Sequence, residues 1–166
     1  MSDIPIRLRV QQALSLSLEQ ISIANDYKHD LAGHVFRGRD MFDDDDETPL
    51  VAILESPDEP DQQTRPRGCT DRKSKWNLFV QGWADDDKSN PTDPAHYLMA
   101  DVKKRLAHEI KALREHNALD MGKRIDMIEF SPGVVRPPDA MSNKAYFWLK
   151  LVITIVEDDF EPYADT

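Results

Sequence analysis

Apolar residues recur at spacings of three and four in two stretches of the chain, and this pattern predicts two amphipathic helices. The first stretch covers residues 6–21 and follows the capping candidates Ser2 and Asp3. The second covers residues 93–114 and opens on an Asp-Pro pair, in which we expect the aspartate to cap the helix and the proline to stand in its first turn.

Shorter apolar or alternating runs predict strands. They are Val35–Arg39, Leu50–Leu54, Trp76–Trp83, Ile125–Phe130 and Ala145–Val156. The last run alternates regularly, which is typical of a long strand covered on one face. Within the first run, Gly38 indicates a bulge or a close backbone approach. This order of elements predicts an α+β fold with a mostly antiparallel sheet of about five strands and two main helices packed on one face.

The length of 166 residues is that of one domain, so we expect a single domain over residues 1–166. Residues 56–75 and 131–144 are polar and contain three prolines each, so we expect irregular loops there. Residues 157–166 form an acidic tail that we expect to fray or to dock elsewhere on the protein.

Composition and charge narrow the class of protein. The chain carries a net charge of −10, which disfavours specific binding to nucleic acid because phosphates repel carboxylates. The single cysteine, Cys69, rules out an intrachain disulfide and suits a reducing cytoplasm. The N-terminal residues lack the apolar core of a signal peptide, and residues 145–156 are too few to cross a bilayer. We therefore expect a soluble protein without a membrane partner.

The acidic runs do not predict a metal site or an enzyme. Adjacent aspartates, as in Asp43–Asp46, repel one another and favour a solvated loop over a cation site. Asp58, with Asp71 and Lys73 further on, copies the spacing of a metal-dependent nuclease, but the second pair lies in a segment without apolar alternation. The histidines lack zinc spacing and no GxSxG motif is present. We expect no catalytic residue, metal or cofactor.

A basic segment interrupts the acidic composition. Residues 65–75 carry five cations against one acid. Three interpretations stay open: a solvated loop, a surface that pairs with an acidic protein or with a second copy, and a nucleic-acid contact, which the lack of interleaved aromatic residues disfavours.

Taken together, several segments resemble the phage tail terminator (tail completion) family. The resemblance rests on the opening helix, then LAGHVFRGRDMF, PLVAILESPDEP, WNLFVQGWADDDKSNPTDPAHYLMADVKKRLA and AYFWLKLVITIVEDDFEPYAD, in this order over nearly the whole chain. It implies a virion protein, assembled in the host cytoplasm, that forms a ring, commonly of six copies, on the head-proximal end of the tail tube. The ring stops tube growth and presents a surface for the neck or head-completion protein, and DNA passes through it.

The resemblance also suggests roles for charged residues. Because acidic copies repel one another, cations are expected at the seams between subunits or at partner contacts: Arg37, Arg39, Arg65, Arg67, Arg72, Lys73 and Arg136. Acids that face the DNA channel would keep DNA from binding: Asp43, Asp44, Asp45, Asp46, Asp85, Asp86 and Asp87. Glu157–Asp159 is a further candidate for the channel wall. The alternatives are another head–tail joining protein, a tube subunit and, more remotely, a metal-dependent nuclease.

Overall fold

The computed structural model describes residues 4–163, which form two helices and one sheet. The helices are α1 (Ile6–Glu19) and α2 (Asp93–Ala112). The strands are β1 (Val35–Arg37), β2 (Leu50–Glu55), β3 (Asp61–Gln62), β4 (Asp71–Trp83), β5 (Ile125–Phe130), β6 (Val134–Arg136) and β7 (Tyr146–Asp158).

The sheet is built around β4 and β7, which pair antiparallel over 13 residues. Its main order is β1-β2-β4-β7-β5, with β3 beside β4 and β6 beside β7. The β1–β2 pair is parallel, and the other pairs are antiparallel. The predicted α+β class is confirmed. The two short strands β3 and β6 raise the number of strands from the expected five to seven.

Both helices pack on one face of the sheet and enclose the core there. Alternate residues of β4 and β7 point into it, among them Trp76, Leu78, Phe147 and Leu149, all of them buried. α1 and α2 cover these side chains with their own apolar stripes, because spacings of three and four place apolar residues on one side of a helix. The predicted location of the helices on one face is therefore confirmed.

The helix ends differ from the predicted ones by one or two residues. Pro5 stands in the capping position of α1, and the candidates Ser2 and Asp3 lie outside the described residues. In α2 the capping position is occupied by Thr92, so Asp93 is the first helical residue and not the cap. The proline that follows fits the first turn, since its missing N–H would have no partner there.

Two segments that we expected to be irregular contain strands. Residues 71–75 are the start of β4, and residues 61–62 pair with them as β3. Residues 134–136, inside the second predicted loop, form β6 along the start of β7. Both strands are set by pairing with distant parts of the chain, which a local pattern of polar residues does not reveal.

Gly38 ends β1 by a left-handed backbone conformation, with φ +70°, and its amide donates to the carbonyl of Ile53 at 2.9 Å. No atom outside its neighbouring residues lies within 4 Å of a Cβ built there, so the expected close backbone approach is wrong, and the chain bends at Gly38 where β1 ends. The described part of the acidic tail docks on the start of α1, where the amide of Ile6 donates to the carbonyl of Pro162 at 3.1 Å.

Candidate interaction surfaces

The face of the sheet opposite the helices, called here the open face, is formed by alternate residues of the two longest strands. They are Lys73, Lys75, Asn77, Phe79, Gln81 and Trp83 of β4, and Tyr146, Trp148, Lys150, Val152, Thr154 and Val156 of β7. Trp148 is 37% exposed, and its ring meets that of Phe79 edge to face at 6.5 Å. Exposed aromatic residues at the centre of a sheet are typical of a docking surface.

Cations accompany these aromatic rings on the open face. Lys73 pairs with Asp126 of β5 at 3.1 Å between Nζ and Oδ2. Lys75 and Lys150 are exposed, and neither side chain has a carboxylate partner within residues 4–163. In a chain of net charge −10, unpaired lysines beside exposed aromatic rings favour an acidic protein surface as the partner.

One corner of the open face is an aromatic cluster that holds Arg39. The ring of Phe42 lies 5.5 Å from that of Phe36 and 4.5 Å from that of Trp83. The guanidinium of Arg39 stacks over Phe42 at 4.3 Å and donates to both carboxylate oxygens of Asp46 at 2.9 and 2.8 Å. Arg39 is therefore held by partners in its own chain, and its predicted role at a subunit seam stays a prediction.

The carboxylate of Asp46 organises the acidic run. It accepts the backbone N–H of Asp43 at 2.7 Å. This hydrogen bond, and after it the one from Arg39, hold the pKa of Asp46 below its ordinary value because both stabilise the charged form. The four adjacent aspartates thus do not converge on one point: the fourth turns inward, and the first three stay exposed.

A groove of about 640 Å³, called here the acidic groove, lies beside this corner, between residues 40–48 and 139–144. Trp83 lies in its wall, and Met41 and Met141, which are 80% and 91% exposed, also line it. Its acidic lining residues are Asp40, Asp43, Asp44, Asp45, Asp46 and Asp139. The groove combines apolar side chains with negative charge, and so it suits a basic partner.

The raised pKa of Lys144 shows that this end of the sheet has a negative electrostatic potential. Its Nζ donates to Asp86 at 2.9 Å, and this hydrogen bond raises the pKa of Lys144, with a further contribution from the charges of Asp44 and Asp85. Two of the acidic runs predicted for the DNA channel, residues 43–46 and 85–87, therefore share one end of the molecule.

The opposite end of β4 carries residues 63–75, called here the basic segment. They contain five cations against one acid. Two of the cations, Arg65 and Arg72, are bound to Asp159, the first at 3.4 Å. Arg67 is exposed, and its side chain has no hydrogen-bonding or ionic partner among residues 4–163.

The structure distributes the seven predicted interface cations over three places. Arg37 and Arg39 lie at the edge of the sheet near the acidic groove. Arg136 lies on β6, opposite Tyr146. The remaining four lie in the basic segment, at the other end of β4: Arg65, Arg67, Arg72 and Lys73. They do not form one patch, and their predicted role at seams or partner contacts stays a prediction.

The nuclease-like residues are arranged differently from our expectation. Asp71 and Lys73 lie on a strand and not in a polar connection, which removes the reason for which we set the pattern aside. Asp58 lies in the turn after β2, and Lys73 is engaged by Asp126. No cluster of three or more His, Cys, Asp or Glu side chains suitable for a metal ion occurs within residues 4–163.

A buried polar cluster that the sequence analysis missed connects the two helices. Glu109 of α2 is 7% exposed and accepts hydrogen bonds from Ser17 Oγ at 2.6 Å, Arg105 Nη2 at 2.9 Å and the amide of Leu119 at 2.8 Å. A groove of about 440 Å³ passes beside it. The spacing offered a signal, because Glu109 follows Leu106 by three residues and continues the apolar stripe of α2.

Asp101, also on α2, connects this helix to residues 28–29. It is 6% exposed and accepts the amides of Lys28 and His29 at 2.9 and 3.1 Å, and its Oδ2 lies 2.7 Å from Nδ1 of His29. Both buried acids have several hydrogen-bond partners within the chain, and through them they position the segments that pack around α2.

The comparisons with known proteins add no family. No protein-family model matches the chain. No curated protein matches it either. Among residues 4–163, no helix is both long and apolar enough to span a membrane.

Proposed function

We propose that this protein acts in assembly, through surfaces that bind other protein subunits. Within that class, we propose a phage tail terminator, which forms a ring on the head-proximal end of the tail tube. The ring stops the addition of tube subunits and offers a surface to the neck. The resemblance over nearly the whole chain supports this choice, and the α+β fold agrees with it.

The open face is the observation that carries the proposal. A tube grows by a head-to-tail interface that never closes along its axis, so a terminator must match that interface on one side and lack it on the other. Here the sheet is covered by helices on one face, and its other face carries the exposed Trp148 against the half-buried Phe79, together with unpaired lysines. A protein with one docking face and one closed face satisfies this requirement.

The first experiment removes the protein from the phage that encodes it. Tails assembled without it should reach irregular, excessive lengths in electron micrographs and should fail to join full capsids. Tails of normal length that join capsids would contradict the proposal. Purified protein that polymerises by itself into long cylinders would instead identify a tube subunit.

The second experiment tests the open face with matched variants. Trp148→Ser removes the exposed ring from the open face, and Leu16→Ser removes a side chain that is 58% exposed on the helix side. Added to purified tubes, the first variant should lose capping while the second retains it, and circular dichroism should show both folded. Equal capping by the two variants would show that the open face is not the docking surface.

A further inference from the structure

The acidic groove and the basic segment lie at opposite ends of the long strand pair of the sheet. At the Trp83 end of β4, residues 39–47, 85–88 and 139–144 carry ten carboxylates against three cations. At the Asp71 end, the basic segment carries five cations against one carboxylate, and the β7 end places Glu157, Asp158 and Asp159 beside it, so that only part of its positive charge is left for a partner. The two ends are joined by the β4–β7 pair, and the acidic groove lies at the first of them.

These two ends cannot neutralise each other within one molecule. The 13 residues of β4 span about 40 Å at the rise of a strand. Screening by salt limits attraction between exposed charges to about 8 Å at physiological ionic strength. The attraction between the acidic groove and a basic segment is therefore available only between two copies, or between this chain and another protein.

Some charges at each end are left for such a contact. In the basic segment, Arg67 and Lys75 have no carboxylate partner within residues 4–163. At the acidic end, Asp44 and Asp45 are exposed and make no hydrogen bond or ion pair within the same residues. The groove adds the exposed side chain of Met141, and methionine packs readily against irregular surfaces.

We propose that the acidic groove of one copy receives the basic segment of the next copy. This inference rests on the proposed function and specifies the seam of its ring. A contact between opposite ends of identical molecules is heterologous, and such contacts close into a ring when the rotation between copies allows it. Neutralisation at each seam also offsets the repulsion between copies of net charge −10.

Two charge-reversed variants test the seam. The groove variant carries Asp44→Lys and Asp45→Lys, and the segment variant carries Arg67→Glu, which leaves the lysines of the open face unchanged. Each variant alone places like charges across the seam, which should weaken self-association on the order of a hundredfold or more. Sedimentation velocity at low salt should show oligomers of the wild-type chain and monomers of each variant.

Mixing provides the decisive measurement. In a 1:1 mixture the two variants can alternate around a ring with an even number of subunits, so that every seam again joins opposite charges. The mixture should regain the wild-type oligomer, and so should one chain that carries all three substitutions. A control with Lys111→Glu and Arg114→Glu, two exposed cations at the end of α2, should associate as the wild type does.

Three results would overturn the seam: a wild-type chain that stays monomeric up to millimolar concentration at low salt, variants that assemble as the wild type does, or a mixture that stays monomeric. Failure of the proposed function is distinguishable. Rings that form through this seam but do not cap tubes would contradict the terminator role and leave the seam intact. Rings that cap tubes but ignore the charge reversals would contradict the seam alone.

Discussion

Replacing Glu109 should lower the free energy of unfolding, because this one carboxylate accepts hydrogen bonds from three parts of the chain. It accepts from Ser17 on α1, from Arg105 on its own helix and from the amide of Leu119 in the turn that follows. In Glu109→Ala the amide of Leu119, which is 5% exposed, loses its acceptor, and the guanidinium of Arg105 loses its ion pair.

The size of the effect follows from burial. Removal of one partner from a buried ion pair costs about 3–5 kcal/mol. The side chain of Arg105 is 23% exposed and regains some water, so we expect the lower end, about 3 kcal/mol of the free energy of unfolding. Ser17→Ala removes a hydroxyl that donates to Glu109 and accepts from Arg105 Nε at 2.9 Å, and should cost about 1–2 kcal/mol.

Urea unfolding followed by circular dichroism measures these values, and thermal unfolding should show Glu109→Ala melting about 10 °C lower. The matched control is Glu115→Ala, an exposed acid just beyond the same helix, which should change stability by less than about 0.5 kcal/mol. Ser17→Ala should cost less in the Glu109→Ala background than in the wild type, because the acceptor Glu109 is gone and only the hydrogen bond from Arg105 Nε to Ser17 Oγ, at 2.9 Å, is left to lose. A loss below about 1 kcal/mol for Glu109→Ala would refute the reasoning.

Two further predictions concern packing and protonation. Gly82→Ala should destabilise the sheet by about 3 kcal/mol in urea unfolding, since a Cβ there would lie 2.2 Å from the buried ring of Phe147. Phe147→Leu should reduce that penalty in a double-mutant cycle, and an unchanged penalty would contradict the clash. The pKa of Asp46 is lowered in the folded state, so its contribution to stability is present above its unfolded pKa and is lost as pH falls through the folded value. NMR titration of Arg39→Ala should show that pKa rising but staying below the ordinary value, because the Asp43 amide remains; no rise at all would contradict the role of Arg39.

The elements that a local pattern encodes could be predicted, and those that depend on distant partners could not. The stripe of α2 and the alternation of β7 are properties of neighbouring residues, so both elements were predicted to within two residues. The start of β4 is different: its polar residues become a strand because they pair with the end of β7, as Asp71 does with Asp158. Nothing within the segment itself indicates that partner.

The candidate surfaces also combine features that the local sequence predicts with features that only the fold determines. The acidic and basic runs could be read directly from the sequence, but their positions at opposite ends of the sheet required the fold. Ion pairs within the chain could not be predicted from the sequence either, as the pair of Arg72 with Asp159 shows, because these residues are 87 positions apart. Such pairs leave fewer charges free for a partner than the composition suggests. The proposed seam therefore uses charged residues that have no ion pair within the described part of the chain.

Two different roles have been proposed above for the aspartates of the acidic groove, and both cannot hold for the same side chains. As a channel wall, Asp44 and Asp45 would repel passing DNA, and as part of a seam they would be covered by the basic segment of a neighbour. The two roles respond differently to Asp44→Asn with Asp45→Asn, which removes charge without reversing it. At a seam the loss weakens association and flattens its dependence on salt, because fewer charge pairs are screened. On a channel wall the ring assembles as before and only its attraction for DNA increases. The salt dependence of assembly thus decides which surface these carboxylates occupy.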